Sequence, residues 1–362
     1  MKQIQYKFSV RKWASLFAVV LITGVTSLTA QDVHFSQFTM SPLTQNPGLT
    51  GAIYDIQALM NYRTQWASVA SPYTTMAASF DMRLGHKKSR KGFWAAGMNI
   101  YDDKAGDAQL SILQANLNVA YHVRLNEYNI LGAGVQVGFV QRSISAGALQ
   151  WGNQYNGSVY DASLPTGETA GIAASKMFID AGAGVVWSYD NTKGAKNVTD
   201  NHEFKINVGA SVFHPQQSSY SFYGDGEKLY MKFLVHSDAR ISIPNSNMAI
   251  VPAVMYSRQG DVQELDAGAM LRYKLKQDSK YTGFAKGAAL SLGGYYRAGD
   301  AFAPAMLLEY ANYALGMSYD LNTSPLRTAS NLRGGVEITL RFVTPNPFLK
   351  RGSSSILYQP TP

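Results

Sequence analysis

The 362-residue sequence contains no cysteine. Disulfides and thiolate metal sites are therefore excluded, and an exported protein of this kind must rely on backbone hydrogen bonding and packing. Charge is also scarce, at 15% of residues. Beyond residue 30 no run approaches eighteen consecutive apolar residues, so no transmembrane helix is expected there. The six histidines, His34, His86, His122, His202, His214 and His236, form no HExxH or similar pair, which argues against zinc. There is no GxSxG elbow of the hydrolase type, and Gly293-Gly294 is not followed by GK[ST] as a phosphate loop requires. The segment Asp102–Asp107 lacks the residue order of a calcium loop and reads as a solvated outer turn. No catalytic residue, cofactor site or metal site is expected.

The first thirty residues stand apart. Lys2, Lys7, Arg11 and Lys12 precede an apolar run from Ala14 to Leu28, and Leu28-Thr29-Ala30 comes just before Gln31. This is the layout of a secretory signal peptide, and the apolar run is short for the alternative, a membrane anchor. Without those four cations the formal charge of +8 becomes +4, so the basic balance belongs partly to the leader and gives no case for nucleic-acid binding. The densest basic run in the remainder, His86–Lys91, reads as a solvated turn.

What is present is alternation. Aromatic residues make up 12% of the chain, with 22 Tyr and 16 Phe. From Leu229 to Ser242 one set of alternate residues is mostly apolar (Leu229, Met231, Phe233, Val235, Ile241), while the other holds Lys232, His236, Asp238 and Arg240. Period two places these sets on opposite faces of a strand. The same pattern runs through 111–124, 204–213 and 263–274. Such segments are longer than the ~5–6 residues of soluble strands and match the ~9–11 of membrane-spanning ones. Fourteen are expected, near 54–64, 74–84, 92–101, 109–123, 129–142, 177–189, 203–213, 229–242, 247–257, 262–275, 284–296, 302–310, 313–320 and 332–342.

In hydrocarbon only closure satisfies every backbone group, so the expected fold is all-β, a transmembrane antiparallel barrel of about 14 strands. An even number leaves both termini in the periplasm. The long connections 143–176, 214–228 and 321–331 then fall outside, and the short turns 125–128, 244–246 and 311–312 inside. Trp66, Trp94, Tyr121 and Trp187 sit near strand ends, as an interfacial girdle requires. A soluble β-sandwich would show the same alternation and remains the alternative. The expected organisation is a leader at 1–30, a lead-in at 31–53, the barrel at 54–342 and a tail at 343–362. The lead-in, with Pro42 and Pro47, could line the periplasmic mouth or enter the lumen. Gly132, Gly134 and Gly138 thin one face of the fifth segment, where a plug or neighbouring backbone could approach.

Several short stretches then occur in a particular order. They are Gln31–Phe38, Ser41-Pro42-Leu43, Asn46-Pro47 with Gly51, Asn61–Trp66, Phe213–Gln217, Gly293–Arg297 with Asp300, and Gly316–Asp320 with Ser324. Together they resemble the PorP/SprF family from residue 31 to about 342, although Gly48 stands where that family usually has Ala. The resemblance implies a non-enzymatic outer-membrane component of the type IX secretion system. Such a protein lies in outer-membrane lipid and supports export or surface attachment of secreted proteins such as adhesins, in some cases for gliding motility. Its implied partners are the periplasmic ring or translocon of that system, or one large secreted adhesin. Asn46, Pro47, Tyr62, Arg63, Trp66, His214, Tyr296, Arg297 and Asp320 are the family-motif positions, with either a partner-binding or a structural role. A passive channel or hydrophobic-solute transporter is the competing reading, and a lipid-acting barrel enzyme a third.

Overall fold

The structure, a computed structural model, describes residues 32–68, 71–85, 91–145, 149–167, 175–191, 204–222, 227–276 and 287–344. The leader, most of the basic run 86–91 and most of the tail lie outside them. Fourteen antiparallel strands are found among the described residues: β1 Ile56–Gln65, β2 Tyr73–Leu84, β3 Gly92–Ala105, β4 Leu110–Arg124, β5 Asn129–Ser143, β6 Ser175–Asp190, β7 Phe204–Phe213, β8 Lys232–Ser242, β9 Met248–Gln259, β10 Val262–Lys276, β11 Ala288–Arg297, β12 Ala301–Tyr310, β13 Tyr313–Asn322 and β14 Arg333–Thr344. Each pairs with its neighbours in sequence, and β1 pairs with β14 from Ile56↔Thr344 to Gln65↔Gly335 to close the barrel. The expected fourteen-stranded barrel is therefore observed, and no sheet edge remains unpaired.

Two readings at strand ends need correction. β8 begins at Lys232, so Leu229–Met231 belong to the preceding connection. β3 continues to Ala105, so Asp102, Asp103 and Lys104 lie in a strand and only 106–109 form the turn. Their polarity is accommodated within the ladder. Thr75 donates to Asp103 at 2.6 Å, and Ser111 donates to Asp102 at 3.0 Å.

Alternation sorts the side chains by solvent. The outward residues of β4, from Leu113 through Leu117 to Val123, are exposed, whereas Gln114, Asn116, Asn118 and His122 are buried inside. The wall thus presents an apolar surface outward, suited to lipid, and encloses a polar lumen. Aromatic pairs mark both rims. At the end where β1 begins and β14 finishes, here the terminal end, Trp94 packs on Tyr121 and Tyr313 on Phe342, with ring centroids 4.8 and 5.1 Å apart. Trp187 projects at the same end. At the far end Trp66 meets Tyr73 edge-on at 4.9 Å.

The lead-in enters the lumen. Residues 32–55 contain short helical turns at Phe38–Met40, Pro42–Gln45 and Pro47–Leu49, and most of their side chains are buried. The segment starts near the far end, crosses the interior and reaches the terminal end before β1. Phe38 anchors it in an apolar cluster with Leu234, Met255, Met270 and Tyr295, its ring edge-on to Tyr295 at 5.4 Å.

Leu117 lies mid-strand on the outer wall with 69% of its surface exposed. Leu117→Arg should therefore destabilise the barrel by about 2–4 kcal/mol in a bilayer. Reversible unfolding in lipid vesicles measures this, and no effect would mean that this face does not contact the hydrocarbon.

Candidate functional site

The lumen holds its inserted segment through three groups of contacts, placed in sequence along the segment. The first is at Asp32. His214, just beyond β7 with φ +57°, places Nε2 2.8 Å from Asp32 Oδ2 and Nδ1 2.8 Å from Asp180 Oδ2 on β6. Lys232 Nζ lies 3.5 Å from the same Asp32 oxygen. Burial disfavours the charged imidazole, but the facing Asp32 and Asp180 carboxylates outweigh it and push His214 up to about 9. His214 is thus a cation at neutral pH, held between two acids.

The second group lies against β1, β11, β13 and β14. The backbone N–H groups of Ser36 and Gln37 donate to the two oxygens of Glu337, at 2.7 and 3.0 Å. Ser36 Oγ donates to Asp320 at 2.6 Å and accepts from Arg297 Nη2 at 2.9 Å. Arg63 pairs with Asp320 at 2.7 Å and donates its other Nη to the carbonyl of His34. Arg297 also pairs with Asp300 at 2.7 Å and lies 3.4 Å from both Glu264 and Asp266. Arg63 and Glu337 are each only 1% exposed. Charges so buried are tolerated because guanidinium forks, carboxylates and two backbone donors pair with one another, although Arg63 Nε, Arg297 Nε, Glu264 Oε1 and Asp266 Oδ2 make no hydrogen bond among the described residues.

The third group runs from Asn46 to Asp55. Asn46 Nδ2 lies within hydrogen-bond reach of Val185 O, Ala210 O and His236 Nε2, at 2.9, 3.3 and 3.1 Å, while its Oδ1 accepts from the Gly48 N–H at 2.7 Å. Glycine makes this possible. A Cβ on Gly184 would sit 2.0 Å from Asn46 Oδ1, and one on Gly134 only 2.3 Å from Pro47 O. Of the three glycines singled out on β5, Gly134 meets the inserted backbone, while Gly132 and Gly138 make room for His122 and Asn116 of the wall. Further on, His122 Nε2 donates to Thr50 O at 2.7 Å, and the Gly51 N–H donates to Asp81 at 2.7 Å. Arg83 donates to Gly51 O and Ala52 O and pairs with Asp55 at 3.0 Å. A cavity of about 30 Å³ remains beside Asp32, between Asn99, Asn116, Gln136 and His214. That is room for roughly two water molecules.

Of the nine motif positions, Asn46, Pro47, Arg63, His214, Arg297 and Asp320 converge on this segment. Tyr62 and Tyr296 do not: they point outward, 40% and 46% exposed. Trp66 caps the end of β1 at the rim, its N–H donating to Gly334 O at 2.7 Å. The sequence reading missed Ser36, Asp81, Arg83, Asp180 and Glu337. Glu337 carried a usable signal, as an acid at an inward position of the last alternating strand. Asp180 and Asp81 could not be assigned before the path of the segment was known. Among the described residues no group of three or more His, Asp or Glu could hold a metal ion.

The sequence profile described as "Type IX secretion system membrane protein PorP/SprF" matches residues 27–342, most of the chain. The chain belongs to the PorP/SprF family. It is accordingly a type IX secretion component of the outer membrane. A search of curated proteins finds no sequence match. Solved structures similar to this PorP/SprF protein include outer-membrane barrels. A deletion mutant of the TodX monoaromatic hydrocarbon channel has a TM-score of 0.46 at 12% identity, covering 83% of this chain and 92% of that one. The CymD monoaromatic hydrocarbon channel has 0.43 at 10%, covering 85% and 93%. CdiB from Acinetobacter baumannii has 0.40 at 7%, and this chain, 81% covered, spans 60% of it. With TM-scores below 0.5, these neighbours say nothing of what the PorP/SprF protein carries or binds.

Two outcomes test the clamp. Arg63→Ala removes the nearer guanidinium from buried Asp320 and leaves it only Ser36 and Arg297, the latter at 3.7 Å; the loss, up to about 3–5 kcal/mol, should be read as protease cleavage within 32–53 of an otherwise folded barrel. The His214 contribution has a defined sign. Its folded pKa exceeds the unfolded value of 6.5, so the stabilisation is complete below about 6.5 and fades as pH rises through about 9. Amide exchange at residues 32–37, corrected for its intrinsic base-catalysed rate, should lose protection over that window in the native protein, and this loss of protection should be absent in His214→Gln.

Proposed function

We propose that this protein supports export or surface attachment of secreted proteins, such as adhesins, through protein–protein contacts, without enzymatic turnover and without conducting solutes. The observation that carries this reading is the inserted segment itself. It is held across the lumen by its own backbone and by buried ion pairs, an arrangement suited to a rigid membrane-anchored platform. Orientation follows from the shared position of strand ends. With the terminal end in the periplasm, the 31-residue connection 144–174 and the 18-residue connection 214–231 face outward, the asymmetry usual for bacterial barrels. The outer connections carry exposed Tyr155, Val159, Tyr160 and Tyr230, apolar groups of the kind that protein interfaces bury. The inward family-motif residues Arg63, His214, Arg297 and Asp320 act in this account as positioning groups for the segment, and the partner would be met at the two rims. The candidates are an adhesin at the outer rim and the periplasmic ring or translocon at the inner one.

The competing reading is a channel for hydrophobic solutes. The two separate on conductance and on partners. Tagged protein extracted gently from its own outer membrane should bring down either a large secreted protein or the periplasmic ring. The native barrel in a planar bilayer should be silent, and deletion of residues 32–53 should open it. A native barrel that conducts and recovers neither partner would overturn the proposal in favour of the channel.

A further inference from the structure

The inserted segment leaves one part of the lumen open. Along β8, β10, β12 and β14 the inward residues are buried as far as His236, Met270, Ala305 and Thr339, and then become partly exposed at Asp238 and Arg240, Arg272 and Lys274, Leu307 and Glu309, and Arg341. The intervening strands place alanine at the same level. Ala249 pairs with Arg272, Ala289 with Glu309, and Ala314 with both Glu309 and Arg341. Long charged side chains on alternate strands therefore meet over a floor of methyl groups. Glu309 bridges Arg272 and Arg341, the latter at 3.2 Å, and the Arg341 guanidinium lies over the Tyr54 ring at 5.3 Å. Asp238 is occupied by Asn207 at 2.9 Å. Arg240 is the register partner of Lys205 and lies near the charges of Asp238 and Glu309, but it forms no ion pair and donates no side-chain hydrogen bond among the described residues. The result is a cup at the terminal end with more guanidinium than carboxylate, partly desolvated and floored by apolar groups.

We propose that this cup receives an acidic polypeptide segment of a periplasmic partner. The inference rests on the reading that the protein works by protein contacts with its terminal end in the periplasm. Arginine forks grip carboxylates in a bidentate manner, and in a partly dry site such bonds hold more strongly than at an open surface. The mixture of guanidinium, tyrosine and methyl groups suits a peptide better than a bare ion. Recessed within the lumen, the cup is out of reach of lipid headgroups and accessible to an extended chain.

The test uses full-length protein in zwitterionic detergent and a fluorescent twelve-residue peptide of alternating Glu and Gly, with binding read by polarisation. Binding should weaken as salt is raised. Arg240→Gln should weaken it about ten-fold, the loss of one charge-assisted hydrogen bond. Arg341→Gln should act likewise, while Lys228→Gln at the far end leaves binding unchanged. The unheated gel mobility of a folded barrel checks each variant, and Arg240→Gln breaks no existing ion pair. Equal binding by native protein, Arg240→Gln and Arg341→Gln overturns the proposal. So does a preference for inorganic polyphosphate over the peptide, or binding that appears only when residues 345–362 are removed. If peptide binding fails while the native partners still copurify, the cup alone is misassigned; loss of both, in a conducting barrel, removes the functional reading beneath it.

Discussion

A peptide group surrounded by hydrocarbon has no water to bond with, and the rest of this molecule is organised around that constraint. It dictates strands long enough to cross the membrane, with β1 meeting β14 so that the sheet closes without an edge strand. Period-two side chains then make the interior polar wherever the exterior is apolar. A polar interior roughly as wide as fourteen strands allow cannot collapse on itself. Here it is largely filled by residues 32–55 of the chain itself.

The filling is polar as well. The wall near Gln114, Asn116, Asn118 and Gln136 offers few apolar partners, so charge and hydrogen bonds complement the buried apolar residues Phe35, Phe38, Met40, Leu43 and Leu49 of the segment. Buried ion pairs contribute little net stability relative to an apolar replacement, yet losing one partner is costly. Groups such as Arg63–Asp320–Arg297 therefore favour one seating of the segment over slipped alternatives. Glycines at 134 and 184 reinforce the choice by contact, since only there can a backbone carbonyl or the Asn46 amide approach so closely.

The wall was legible in the sequence because its physics is local. Alternation over ten or more residues depends only on which face meets lipid, so all fourteen strands could be placed within a few residues. Errors arose where polarity and strand continued together, as at Asp102–Lys104, or where apolar alternation ran past the ladder, as at Leu229–Met231. The interior was less legible. Six of the nine motif positions lie in or against the segment, but Arg63 belongs to the first strand and Asp320 and Glu337 to the last two, and only closure of the β1–β14 seam brings them together. Outward Tyr62 and Tyr296 lie beside inward Arg63 and Arg297, so a motif read as a unit divides between two surfaces. Glu309, flanked in register by Ala289 and Ala314, shows a pairing rule that becomes visible only once the strand register is known.

The inserted segment precedes β1 in the chain, and this has a bearing on time as well as space. A ring sealed by the first and last strands cannot admit Asp32 through its wall afterwards. Either the segment is already lying against β6, β7 and β13 when β14 finds β1, or it must thread through an open mouth with its charges exposed. The first route lets Ser36, Asn46 and Thr50 serve as a mandrel around which the sheet curls, with the last strand bringing Glu337 to amides that are already in place. Assembly in that order would make closure of the seam and neutralisation of the lumen a single event.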